Sequence, residues 1–414
     1  MVARAAAPPP ISEFALPTSG ALPFYAVAGP DGNIWFTEIV NSAIGRINVA
    51  SPNRIVEFPT PTAFSAPLEI AAGPDGNLWF TENAGNRIGR ITPTGQITEF
   101  SVPRANSGPA GIVGGPDGNL WFTESQTDRI GRVTPTGGFT DFKFPAVAKP
   151  GVCRAPHDIV SGPDGNLWFT ESSNGNCQPG PQTNTCGPAG ASPCLYAYQH
   201  IGRITPQGLI TEFPTPTKDA VPFGMTAGPD GNVWFTEFSG NNIGRVSVAA
   251  PHIITEFPLP MLALPAGTTC LSFPTPATCS DPQGITSGPE GKLWFTESNT
   301  ARIGSITPAG SVTEVALPAS TGPIGVANGP DRNLWWTEGD ASKIGRLSLA
   351  VTIPTASPGG TLGTVAPAPS TGGAPGALPP IGVACMIVGL LVTSTFWIRR
   401  RHAEPMTGGP QDEE

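Results

Sequence analysis

The chain is poor in charge. Only 13% of its 414 residues are Asp, Glu, Lys or Arg, against about 25% in an ordinary soluble protein. The 22 basic and 31 acidic residues leave a formal charge of −9. No basic run interrupts the repeated region, so a phosphate backbone finds no counter-charge and nucleic acid is excluded as a partner. Histidine is scarce too, with His157, His200, His252 and His402 the whole supply. CxxC and Cys/His metal spacings are absent. Abundance excludes as well: with 52 Gly and 50 Pro, long helices are not expected. The 39% of hydrophobic residues still suffice for a core, so the composition points to many short strands joined by turns.

One phrase, GPDGNLWFTE with small variations, returns seven times, at Trp35, Trp79, Trp121, Trp168, Trp234, Trp294 and Trp335. Its shorter units repeat about every forty-odd residues, the period of a propeller blade. A second phrase, Ile-Gly-Arg, trails each tryptophan, and only Ser305 breaks its arginine series. A third, ITEF or a relative, ends six units. The seventh has none downstream, whereas Ile11-Ser12-Glu13-Phe14 stands near the N-terminus with no unit before it.

In the second unit, the residues around Glu69-Ile70-Ala71-Ala72 predict an inner strand and Leu78-Trp79-Phe80-Thr81 a second one. Arg87 to Ile91 and Gln96 to Phe100 predict two more, and Asp75-Gly76 supplies the positive φ of a tight turn. The expected fold is all-β: a seven-bladed propeller of four-stranded blades over 11–348, closed by the N-terminal strand. Residues 1–10 are expected to be disordered.

Two units carry excess length. Cys177, Cys186 and Cys194 fall in the insertion Ser172 to Gln199, Cys270 and Cys279 in the connection Leu259 to Pro282, and Cys153 just before the fourth unit. These six are expected to form disulfides in an oxidising compartment, Cys270 with Cys279 and the other four unassigned. Zinc is disfavoured by their intervals.

A Pro, Gly, Ala and Thr-rich linker is expected over 349–380 and a transmembrane helix over 381–398. Arg399-Arg400-Arg401 put the tail, 399–414, in the cytoplasm and the propeller outside. Residues 1–10 lack the apolar segment of a signal peptide, so export calls for an upstream start or another route. A tail-anchored propeller facing the cytosol is the alternative. Leu378-Pro379-Pro380-Ile381-Gly382 departs from a wall-sorting LPxTG sequence at Ile381, so membrane anchoring is preferred.

A Glu, Arg or turn Asp present in nearly every unit is read as structural, paired within or between blades. Function is sought where inner strands depart from the repeat. The residue after each recurring proline is Phe24, Leu68, Ala110, His157, Phe223, Gln283 or Ile324, and the next is Tyr25, Glu69, Gly111, Asp158, Gly224, Gly284 or Gly325. His157 is the candidate base, expected to titrate near neutrality at a channel mouth, and the alternative is a hydrogen-bonded rim histidine without chemistry. Phe24, Tyr25, Glu69, Asp158, Phe223 and Gln283 are the candidate binding residues, while His200 and His252 are expected to be peripheral.

The phrases GPDGNLWFTE, NRIGRIT and ITEFPTPT resemble the virginiamycin B lyase (streptogramin lyase) family over about residues 11–348. The resemblance implies a seven-bladed propeller and a magnesium-dependent elimination that linearises a cyclic depsipeptide. It also implies histidines in Pro-His phrases on neighbouring blades with a nearby glutamate. Only Pro156-His157 matches; Ala110 and Phe223 flank it, and Asp281 is the single acid preceding a recurring proline. The leading expectation is a monomeric, membrane-anchored module binding a small molecule, peptide or surface partner. The alternatives are a lyase with a rearranged site around His157, using magnesium, and a scaffold without a small ligand.

Overall fold

The computed structural model describes residues 11–145, 154–172, 198–260 and 280–349. They form seven four-stranded antiparallel sheets, and each inner strand touches those of both flanking blades, the seventh meeting the first. Blades 1 to 6 draw their strands from 23–59, 67–101, 109–143, 156–172 with 199–214, 222–258 and 282–316. Blade 7 takes its first three strands from 323–347 and its outer strand from Ile11–Ala15, with Ile11 opposite Leu347 and Ala15 opposite Lys343. The clasp expected from the orphan Ile-Ser-Glu-Phe phrase is therefore present. Among the described residues the only helical turn is Pro289–Gly291.

Blade 2 follows its sequence closely, with strands Pro67–Ala72, Leu78–Glu82, Arg87–Ile91 and Ile97–Ser101 and φ +77° at Gly76. Its second strand is wholly buried, because the Trp and Phe of each such strand fill the wedges between blades. Trp79 of blade 2, for example, packs in one cluster with Phe122 of blade 3.

The repeated polar residues have distinct tasks. In six blades the indole N–H donates to the turn aspartate four residues earlier, as Trp79 does to Asp75 at 3.0 Å. The same carboxylate accepts from the Asn77 backbone and side chain. The arginine does not pair with the WFTE glutamate. Arg46 lies over Trp35 and Phe58, faces Asp31 at 3.7 Å and donates to the Pro93 carbonyl, in the last turn of the next blade, at 2.8 Å. Arg90, Arg132 and Arg245 repeat this bond to Pro135, Pro206 and Pro308. Arg203 instead meets His252 Nε2 at 3.0 Å.

The exception at Ser305 now has a cause. Blade 7 is completed by the other end of the chain, so it lacks a turn between its last two strands and offers an arginine no carbonyl. The glycine of that turn packs on the preceding blade's aromatic ring, Gly310 on Phe257 for instance; Val315 replaces the ring where there is no turn to cover it. Trp294 is left with an indole N–H that has no acceptor, since Glu290 stands in place of the aspartate.

No helix among the described residues is long and apolar enough to cross a membrane. The expected linker, membrane helix and tail, residues 1–10, and the six candidate cysteines lie outside the described residues.

Candidate functional site

In every blade the first strand begins, the second ends, the third begins and the fourth ends on one face. The residue before the recurring proline lies there in the left-handed region, from φ 44° at Ala155 to 57° at Gly108, with 52° at both Val221 and Asp281. A register shift follows the proline in each inner strand, between Pro67 and Ile70 in blade 2, and breaks the regular ladder.

The WFTE threonine repairs that break. Thr81 accepts from the Glu69 N–H at 3.1 Å and donates to the Ala110 carbonyl of blade 3 at 2.6 Å. Six equivalent relays complete the circle, including Thr123 to His157 at 2.5 Å, Thr170 to Phe223 at 3.1 Å and Thr236 to Gln283 at 2.7 Å.

The second position after the proline faces the neighbouring inner strand. At Gly111, Gly284 and Gly325 a Cβ would meet that strand's backbone. Glu69 and Asp158 fill the same gap with carboxylates. Glu69 Oε2 accepts from the Ile112 N–H at 3.0 Å, and Asp158 Oδ2 from the Met225 N–H at 2.7 Å. Tyr25, Glu69 and Asp158 are all fully buried, so these three are placed between blades and not along a channel, because the register shift turns their side chains sideways.

The first position after the proline does converge on the axis, and there the mouth is filled. Phe24, Leu68 and Ile324 share one cluster with Phe223 and Phe238. Blade 5 does not adjoin blades 1, 2 or 7, so this cluster crosses the axis.

His157 is 2% exposed, its ring 6.1 Å from that of Phe223. Burial lowers its pKa to about 4, against a hydrogen bond to the Ser172 backbone. The near-neutral titration expected from the sequence is thus corrected by desolvation. Phe223 separates it from Gln283 of blade 6.

Gln283 introduces the residue that the choice of site residues missed. Its Nε2 donates to Ser298 Oγ at 2.7 Å, and that hydroxyl donates to the Asp281 carbonyl at 3.1 Å. Asp281 and Gln283 are each 3% exposed, and Asp281 Oδ1 and Gln283 Oε1 have no hydrogen-bond partner. Burial alone pushes the Asp281 carboxyl up to about 7. The signal was legible: one acid, in one blade, before the recurring proline.

His252 and His200 have structural surroundings. His252 accepts the Arg203 contact and packs against Trp168 and Phe213. His200 stacks on Tyr198 at 3.9 Å.

Magnesium finds no ligand set here. Glu69 Oε2 and both Asp158 oxygens accept from peptide N–H groups, and the described residues contain no group of three or more His, Cys, Asp or Glu placed to hold a metal.

A family of lyases shares this architecture. The chain belongs to the virginiamycin B lyase family, whose model matches residues 1–179, 175–266 and 263–368. A streptogramin B lyase structure is 32% identical, with 82% of this chain and 97% of that chain covered and a TM-score of 0.66. Virginiamycin B lyase from Staphylococcus aureus is 34% identical, with 82% and 99% covered and a TM-score of 0.66. A catalytically inactive histidine-to-alanine variant of the S. aureus enzyme with quinupristin is 33% identical, at the same coverage and TM-score. No curated protein matched.

Proposed function

We propose that the chain is a streptogramin-lyase-like propeller adapted to bind a ligand or partner on the face that carries His157, Asp281 and Gln283. The observation that carries this reading is the pair of buried acceptors, Asp281 Oδ1 and Gln283 Oε1, beside the aromatic wall of Phe223 and Phe238. Such a site suits a ligand that brings N–H or O–H donors on an apolar body, since unmet buried acceptors cost about 1–3 kcal/mol each. Elimination needs a base next to the scissile unit and an electrophile to hold an enolate. A histidine with its basicity suppressed is a poor base for that step.

The reading includes anchoring by 381–398, with the propeller on the outer side of the membrane and 399–414 in the cytoplasm. Ile11 and Leu347 lie on the face opposite the site, so a tether after Leu349 would leave from that face. Protease treatment of intact cells is expected to release the propeller.

A second reading, lyase activity, is favoured by the identity to lyases along almost their whole length and by Asp281, whose pKa suits a general base. The two separate in one experiment: the protein is incubated with a streptogramin B antibiotic and magnesium, and both ring opening by mass spectrometry and binding by calorimetry are measured. Binding weakened by Gln283→Leu without product supports the first reading. Product that is lost in Asp281→Asn overturns it.

A further inference from the structure

We propose that the glutamates of the WFTE phrase store protons that hold the blade seams closed on the site-bearing face, and that the seams loosen as the medium turns alkaline. In blade 2, Glu82 is fully buried, and neither of its carboxyl oxygens makes a close hydrogen bond. Its neighbour on the fourth strand, Glu99, is fully engaged. Glu99 Oε1 accepts from the Thr62 N–H at 2.8 Å and Oε2 from the Thr62 hydroxyl at 2.6 Å. Both oxygens of Glu99 are taken by donors and those of Glu82 are not, so the proton shared by the pair belongs on Glu82; without it, two negative charges would share a buried site.

The arrangement recurs. Glu256 takes both donors of Thr217 at 2.8 and 2.6 Å beside the buried Glu237. Glu57 takes those of Thr18 at 3.0 and 2.6 Å beside the buried Glu38. Thr62 and Thr217 belong to the loops that carry the chain from one blade to the next, and the Thr62 loop bears Phe64, 85% exposed.

The charged and polar groups facing these acids are few. Glu82 meets Glu99, Arg87 and the Ser65 hydroxyl, and burial first, then Glu99, pushes it up to about 8. Arg87 sits 3.7 Å from Glu99. Glu237 meets Asn242, which donates at 2.7 Å, and Glu256; burial, with Glu256 adding to it, pushes it up to about 8. Burial likewise raises Glu38 to about 7, against its bond from Asn41 and with Glu57 adding to the rise.

An acid whose folded pKa exceeds its unfolded value of 4.5 binds more protons when folded. Its contribution is complete below the unfolded value and is lost as pH rises through 7 to 8. Ionisation then places a second anion beside each threonine clamp.

The test follows thermal unfolding of the full chain between about pH 6 and pH 9, with Glu82→Gln/Glu237→Gln beside the parent. Glutamine keeps the shape of the protonated acid. The parent's Tm is expected to fall by several degrees across this range and the variant's to fall less, so that the difference between them moves in the variant's favour toward the alkaline end. A parent Tm that is flat or rising, or an unchanged slope in the variant, overturns the proposal. Should the variant not fold, proton exchange on urea unfolding of the parent in weak buffer near pH 6 decides: net release supports the store, and net uptake or none overturns it.

Discussion

Thr337 donates its hydroxyl to the carbonyl of Phe24 at 2.8 Å across 313 residues of sequence, and with that bond the circle of seven threonine relays is complete. Each relay settles an N–H and a C=O that the register shift in the inner strand would otherwise strand away from water.

Replacing one of these threonines by valine keeps the volume and removes the relay. For Thr123→Val, whose hydroxyl serves Gly111 and His157, the expected loss is about 2 kcal/mol. Thr123→Ser is expected to lose less than half as much. Urea unfolding of the two variants checks this, and equal losses would assign the effect to packing.

Arg154 takes over in blade 4 the clamp that Thr62 performs in blade 2. It is 5% exposed by side chain, pairs with Glu212, donates to the Pro145 carbonyl at 2.6 Å and lies over Phe144 and Tyr198. Its removal in Arg154→Ala leaves Glu212 beside the buried Glu171 with no cation between them. Breaking a buried pair from one side costs about 3–5 kcal/mol. Denaturant titration is expected to show a loss at the lower end of that range, because Tyr198 still donates to Glu212 at 3.0 Å.

Glu290→Asp is expected to be stabilising. A shorter acid in that turn recreates the indole acceptor found in the other six blades and satisfies Trp294, for a gain of about 1 kcal/mol. Ser305→Arg alone is expected to gain nothing, because the carbonyl it would seek does not exist in blade 7. Tm measurements on the two single variants check both statements.

His157 is expected to stay neutral well below the range of a free imidazole. Its lowered pKa makes a contribution that is complete above its unfolded value of 6.5 and is lost as pH falls toward about 4. Asp75, Asp117 and Asp230 add to the acid limb: burial raises each, but hydrogen bonds from the neighbouring Asn and Trp outweigh it and lower the pKa. Nitrogen-15 NMR of the imidazole between about pH 7 and pH 4 checks the midpoint, and a midpoint near 6.5 would mean the ring is hydrated.

The blades, their strands and the clasp were legible because each is written in a local period repeated seven times. The relays were not, although every threonine was in view. A period-two pattern says which residues alternate, whereas the shift after the proline decides which of them turn toward the neighbouring blade. That is why Glu69 and Asp158 read as lining a channel and stand between blades. For His157 the position on the inner strand was legible and its basicity was not, since burial depends on Phe223 and on the Ser172 backbone, from other strands. Asp281 was visible as a departure from the repeat, but its solitude among acceptors is a tertiary fact.

The clasp also imposes an order of events during synthesis. Glu13 and its partner Lys343, which meet at 2.7 Å, are 330 residues apart. At about 5–20 residues per second, a ribosome takes on the order of tens of seconds to pass from one to the other. For all that time the strand Ile11–Ala15 has no partner, and whatever escorts the nascent chain has to keep its edge from pairing with strangers.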